Sequence, residues 1–507
     1  MRIDDTPKIS NPSNQFLILS ILLAGFILRI YDLGSESIWY DEGCSLNFAV
    51  QEINEIFFQN DKSPPLYYLF LHFWIKLFGT SEFSIRLPSA VFGTISIWYI
   101  YLIGKNLLNK KAALTGALLL SLNKYHIFYS QEARVYELTA LMTLLSIYFF
   151  IRLNLQNKKW STPGYLFFSS LLMYSHIYGL FIIFAQNIYI LTTYKYQNRT
   201  KELFKWGLLQ FCLLILFLPW LNVFLSQTIH AVEKGLWLSK PGLLSLINSF
   251  SILTGSRYLF LFYLIILLTF FFTQWQNRKS FSLSNFFMLF KQDRKKIGIN
   301  RSSNLDLLFL WLFIPIALPF VISNISTPIF DPRYLIVSSP ALYLLLGGII
   351  VSYKNQNLRL IITALIILIS VWTLLNYYSN PQKEQWRKIS ALIDNEAIPN
   401  DLVLFNSGKC LNRVFNYYSK GEKFAKKSFP ENTRNVNMNN IQRLKDITDD
   451  RKRVWLILSH SGKQSYLINE EMKKEFLIKR KEDFIGIKLF LYEKKQVMRI
   501  KAKTNES

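Results

Sequence analysis

The chain has 507 residues, 51% of them hydrophobic and 16% aromatic, and carries a formal net charge of +25. Apolar runs of roughly 18 to 22 residues recur, the length of a bilayer-spanning helix, which argues against a soluble chain of two or three domains. The Lys and Arg sit largely between those runs, where they set topology and attract anionic lipid, and no aromatic-basic module appears, so nucleic acid is excluded as a partner.

Residues 1–14 are polar, and the first span is expected near 15–34. No small-residue cleavage site follows it, so it reads as a retained span and not a signal peptide. Residues 35–62 are polar, and within them 45–58 looks amphipathic, with Leu46, Phe48, Ala49, Ile53, Ile56 and Phe57 at helical spacing. That pattern suits a helix lying along the interface. Pro64-Pro65 opens the run 66–78, too short for a full span and read as re-entrant or juxtamembrane. Further spans are expected at 85–108, 112–128, 136–155, 164–175, 178–194 and 203–225. An outer loop at 226–256 holds an apolar segment at 243–253, and spans follow at 258–275, 305–322, 335–353 and 360–375.

Charge supplies a consistency test. The loops at 105–111, 158–159, 195–205, 277–304 and 354–359 are basic and alternate; 277–304 is the richest, with Arg278, Lys279, Lys291, Arg294, Lys295, Lys296 and Arg301. Taken as cytoplasmic, they put the N-terminus inside and the C-terminal tail outside. Asp41-Glu42, Glu132–Arg134, His176 and Asp331–Arg333 then converge on the outer side, although Lys and Arg alone set the topology.

Residues 380–495 are soluble in character. Helices are expected at 385–396, 410–418 and 465–476, and strands at 401–405, 454–458 and 485–493, which together suggest a small α/β domain. The fold class is therefore an α-helical polytopic membrane protein of about eleven transmembrane helices, N-terminus in and C-terminus out, with a small C-terminal α/β domain. Its expected parts are a membrane domain at 1–379, an outer domain at 380–495 and a loose tail at 496–507. Cys44 and Cys410 would share the outer side, where a disulfide between them is one reading and two separate cysteines, an isolated pair being no framework, the other; Cys212 falls inside a span as core.

Each polar constellation has two readings. Asp41-Glu42 could be a general base with a second carboxylate that orients it or binds a cation; equally, it could be a solvated loop after a span. Glu132 could serve a cation or sugar site and Arg134 a phosphate, or the two could form an ion pair capping the next helix, where Glu132 suits the macrodipole. Arg333, with Tyr334, presents a guanidinium fork suited to phosphate; the alternative is an interfacial Arg-Tyr anchor. Arg86 binds phosphate or snorkels, and Lys62 is a second phosphate candidate or a solvated loop residue. His176 is a metal ligand or a hydrogen-bonded structural histidine; His72 and His126 are assigned nothing. No zinc spacing, nucleophile elbow or phosphate loop appears, so a lipid-linked sugar donor fits better than a nucleotide one.

Taken together, Tyr40-Asp41-Glu42, Ser63 to Tyr68, Arg86-Leu87-Pro88-Ser89-Ala90, Tyr129 to Arg134, Arg333-Tyr334 and Trp386-Arg387 followed by Asp401 to Leu404 resemble the GT-C glycosyltransferases. The branch is that of the protein O-mannosyltransferases and the lipid A aminoarabinose transferase. The resemblance implies sugar transfer from a polyprenyl-phosphate carrier, with inversion, on the extracytoplasmic face of the cell membrane. It implies Asp41 as catalytic base and Arg86 and Arg333 as holders of the departing phosphate. Many relatives carry His where this chain has Ser63, which weakens a metal ligand there. A divalent cation is left open, with Glu42, Glu132 and His176 as its candidate ligands. Expected partners are the lipid-linked donor, membrane lipids, and a lipid, glycan or protein acceptor. The rival readings are a flippase of lipid-linked sugars, which would more often show inverted repeats, and a non-catalytic membrane assembly protein.

Overall fold

A computed structural model of the protein describes residues 12–58, 63–156, 160–196, 200–234, 238–276, 302–406, 409–421, 423–430, 436, 441–459 and 464–495. Lys62, Lys158-Lys159, Arg199, the basic residues of 277–301 and the tail 496–507 lie outside the described residues. The chain forms two compact units. One holds the described residues of 1–33 and 51–379, the other those of 34–50 and 380–507.

The larger unit is helical. Five of its described helices are long and apolar enough to cross a membrane: Glu82–Leu107, Tyr136–Asn154, Thr200–Glu233, Asn304–Ile325 and Gln356–Ser379. A sixth crossing is available if Leu243–Leu253 and Arg257–Thr273, which meet at a 96° bend, form one span. Gln15–Ile30, Leu66–Phe78, Tyr178–Thr193 and Ser339–Ser352 are apolar but shorter. Phe204, Phe211, Leu214 and Leu218 stand exposed along the Thr200–Lys234 helix, an apolar surface that suits lipid and not water.

Local chemistry explains where the helices depart from the sequence reading. The run 112–128 is divided into Lys110–Leu122 and Lys124–Ser130 at Asn123, whose side-chain oxygen accepts from Tyr125 N and His126 N at 2.8 and 3.3 Å. The run 335–353 starts as a 3-10 turn, Pro332–Val337, capped by Asp331, before the helix Ser339–Ser352. Much of the expected outer loop at 226–256 is helix, because Thr200–Lys234 runs on past Leu225. Cys212 is half-buried and not core.

In the smaller unit the expected interfacial helix at 45–58 is not one element. Tyr40–Ala49 and Ile53–Phe58 are separate helices, and 34–50 belongs with the C-terminal residues. Gly43 admits the close approach of Lys409–Tyr418: a Cβ there would meet Val414 Cγ2 at 2.0 Å. Cys44 and Cys410 form a disulfide, the less favoured of the two sequence readings. Spacing could not reveal it, since the partners are 366 residues apart.

Five strands form one sheet in the order β2-β1-β3-β5-β4, where β1 is Leu402–Phe405, β2 Ala425–Ser428, β3 Arg453–Ser459, β4 Phe476–Phe484 and β5 Ile487–Lys494. β1 pairs in parallel with β2 and β3, and β5 pairs antiparallel with β3 and β4. β1 is buried along its whole length, as a central parallel strand should be. Leu402, Leu404, Val454, Leu456, Ile468, Met472 and Phe490 pack as the core of this unit. The sequence missed β2, whose Ala-Lys-Lys-Ser has no strand pattern, and β4, which follows the helix Gln464–Glu475 without a turn.

Candidate functional site

In the larger unit, polar groups gather where the 129–136 turn meets the 331–334 turn. Asp331 Oδ1 accepts from the backbone N–H of Arg333 at 2.9 Å and from its Nε at 3.1 Å. The carboxylate thus caps the 3-10 turn and orients the guanidinium in one act. Tyr125, buried, donates its hydroxyl to Pro332 O at 2.8 Å, while Tyr178 donates to Ile329 O at 3.0 Å. The turn carrying Arg333 is therefore pinned from both sides.

Tyrosines line this region. Tyr129 packs edge-on against Tyr136 at 4.7 Å, and Tyr334 packs against Tyr178 at 5.4 Å and His176 at 4.6 Å. Tyr136 is a side-chain hydrogen-bond partner of Arg333, and its ring lies 5.9 Å from the Arg134 guanidinium. Tyr129, Arg134, Arg333 and Tyr334 are half-buried, so two phenols and two guanidiniums reach the surface of the unit together. Such a rim offers stacking faces to a sugar and fork-shaped donors to a phosphate.

His176 is the hydrogen-bonded histidine of the two sequence readings. Its Nδ1 accepts from Tyr178 N at 3.2 Å. Burial, helped by the Arg134 charge, pushes its pKa down to about 3, so the ring is neutral at ordinary pH. Glu132 is fully buried four residues ahead of the helix Tyr136–Gln156, and Glu137, not Glu132, supplies the acid of that helix's first turn. Arg86 is buried and donates from Nη1 to Leu33 O at 3.0 Å, at the exit of the first helix.

A second polar cluster lies among buried residues of the same unit and was not anticipated. His126 Nδ1 is 2.9 Å from Glu137 Oε1, and Nε2 is 2.7 Å from Ser339 Oγ. Ser339 Oγ is also 2.8 Å from Ile336 O, so its hydroxyl links His126 to the backbone of the 3-10 turn. Arg29, also buried, donates to Ser130 Oγ, Gly25 O, Ser121 O and Leu120 O at 3.0–3.3 Å. It lies within electrostatic reach of Glu137. Gly93 leaves room for Arg29, for a Cβ there would sit 2.7 Å from its Nε. The sequence signal was present: a His, an Arg and a Glu inside apolar runs need partners.

In the smaller unit, Asp41 and Glu42 occupy the first turn of the Tyr40–Ala49 helix, where the macrodipole favours carboxylates. They separate in role. Asp41 is half-buried, while Glu42 is fully buried and its Oε1 pairs with Lys383 Nζ at 3.1 Å. Among the described residues no three His, Cys, Asp or Glu are placed to hold a metal ion.

A family model described as dolichyl-phosphate-mannose-protein mannosyltransferase matches residues 62–222. The fold is similar to that of ArnT from Cupriavidus metallidurans bound to undecaprenyl phosphate, with a TM-score of 0.59, 13% identity, and 95% of this chain and 98% of that one covered. It is also similar to the archaeal oligosaccharyltransferase AglB from Archaeoglobus fulgidus in complex with an inhibitory peptide and a dolichol-phosphate. There the TM-score is 0.53 and the identity 12%, over 96% of this chain and 74% of that one. No curated protein matches the sequence significantly.

Proposed function

We propose that the chain is a GT-C membrane glycosyltransferase moving a sugar from a polyprenyl-phosphate carrier to an acceptor on the extracytoplasmic side, a reading supported by the family-model match over 62–222 and by the fold it shares with ArnT and AglB. The observation that carries this reading is the half-buried rim of Arg333, Arg134, Tyr129 and Tyr334, with Arg333 aimed by Asp331. Two guanidiniums beside stacking phenols fit a phosphosugar better than they fit an anchor in the headgroups, where a lone Arg-Tyr pair would suffice. The Cys44–Cys410 disulfide supports the outer placement of the 34–50 segment, since such bonds persist in oxidising compartments.

The transfer proceeds as a direct displacement. Asp41 takes the proton of the acceptor's hydroxyl or amine, the freed lone pair attacks C1 of the sugar, and the C1–O bond to the lipid phosphate breaks with inversion. Negative charge grows on the leaving phosphate and is met by Arg333 and Arg134. His176, neutral and against Tyr334, shapes the aromatic wall without adding charge. Arg86 braces the exit of the first helix through Leu33 O. Lys62 is assigned to the carrier phosphate on the sequence reading alone, and Glu42 keeps Asp41's helix seated through Lys383.

The test supplies membranes holding the full chain with a panel of radiolabelled polyprenyl-phosphate sugars. One donor gives labelled product with wild type, and Arg333→Ala loses most of it. Transbilayer movement of the labelled lipid without product would replace this reading with the flippase.

A further inference from the structure

The helix that carries Asp41 supplies one cap of its own, Glu42 Oε2, which accepts from Trp39 N at 3.4 Å. Its Ncap residue is Trp39, whose side chain offers no oxygen to the first-turn N–H groups. The next N–H of the helix start is taken by a distant part of the chain: Glu384 Oε2 accepts from Tyr40 N at 3.0 Å. The same buried carboxylate accepts from Trp386 Nε1 at 2.6 Å and from Ser459 Oγ at 2.9 Å. Ser459 ends β3, so Glu384 joins the helix start to the central sheet.

Its neighbours repeat the pattern. Ile38 N donates to Tyr418 OH at 2.7 Å, Arg387 N donates to Ser37 Oγ at 3.2 Å, and Arg387 Nη1 donates to Ser35 O at 2.8 Å. Lys383 holds Glu42, and Cys410 holds Cys44. Each of these ties runs from 35–44 to a residue beyond 382, and all of them lie within the smaller unit.

We propose that Glu384 is a positioning residue for Asp41: its carboxylate caps the Tyr40–Ala49 helix from outside and sets where the Asp41 side chain stands. The C-terminal sheet is then part of the catalytic machinery and not an accessory. This inference rests on the assignment of Asp41 as base.

The test compares wild type, Glu384→Leu, Glu384→Gln and Tyr418→Phe in the full chain. Amide hydrogen exchange across 38–46 is read beside donor kcat and KM. Glu384→Leu is expected to speed exchange at Tyr40 and its neighbours tenfold or more and to lower kcat at least thirtyfold, with donor KM within threefold. Glu384→Gln keeps an accepting oxygen and recovers most of both. Tyr418→Phe, which removes the acceptor for Ile38 N and leaves Glu384 in place, gives a smaller change in the same direction and guards against a misfolded leucine variant. Unchanged exchange in Glu384→Leu with β3 intact, or faster exchange with unchanged kcat, overturns the proposal. If wild type itself transfers nothing, the transferase reading fails, and the exchange measurement still decides whether Glu384 holds the helix.

Discussion

His126 and Glu137 form a fully buried pair, Nδ1 to Oε1 at 2.9 Å, which ties the short helix Lys124–Ser130 to the start of Tyr136–Gln156. Ser339 extends the tie to a third helix through His126 Nε2. Between the first two helices lies the turn with Glu132 and Arg134, and just before the third lies the turn with Arg333. The pair therefore ties together helices that flank both turns.

Removing one partner leaves the other buried without its counter-group, which typically costs about 3–5 kcal/mol. His126→Ala is expected to destabilise the larger unit by that order, and Glu137→Gln by less, because an amide oxygen can still accept. Thermal unfolding of the detergent-purified protein measures both; an unchanged midpoint in His126→Ala would remove the pair from the account.

Arg333 should behave differently, because it is half-buried and its loss opens no sealed core. Losing one donor to developing charge costs about 10²–10³ in kcat. Arg333→Ala is expected to fall by that factor with little change in stability, and Arg333→Lys to recover only part, since an ammonium cannot reproduce the fork. Full activity in Arg333→Ala would return the residue to the anchor reading.

The disulfide yields a test by non-additivity. Cys44→Ser, Cys410→Ser and the double variant should all lose the same stability, about 2–4 kcal/mol, because each removes the same bond. Limited proteolysis of the 34–50 segment reports it. A double variant much worse than either single one would mean that the two cysteines act separately.

His176 sets a pH dependence of known sign. Its folded pKa of about 3 lies below the unfolded value of about 6.5. The folded state thus binds fewer protons than the unfolded one, and stability is lost as pH falls from 6.5 toward 3. His176→Asn should lose less stability over that window and leave the pH profile of kcat/KM between pH 6 and 8 unmoved. A shifted profile would show that His176 titrates during turnover.

Much of this arrangement was legible in the sequence because membranes punish exceptions. Glu132, Arg134, Asp331 and Arg333 stand out as polar residues at the ends of apolar runs, and the larger unit brings Arg134, Arg333, Tyr334 and His176 together. The helices near 386–396 and 409–418 and the central strands β1 and β3 were also readable from periodicity. What was not legible depends on partners far along the chain. Cys44 found Cys410 and Glu42 found Lys383, at separations that no local pattern encodes. His126 was passed over because a lone histidine in an apolar run does not announce its carboxylate eleven residues later.

The central claim is that Asp41 removes the acceptor's proton during transfer from a lipid-linked sugar. It is tested most directly by measuring sugar transfer in membranes holding wild type or Asp41→Asn, matched for folded protein by their intact Cys44–Cys410 disulfide. The account predicts labelled product from wild type and a loss of about 10³-fold or more in the variant, with donor binding retained. Equal turnover by both would contradict it.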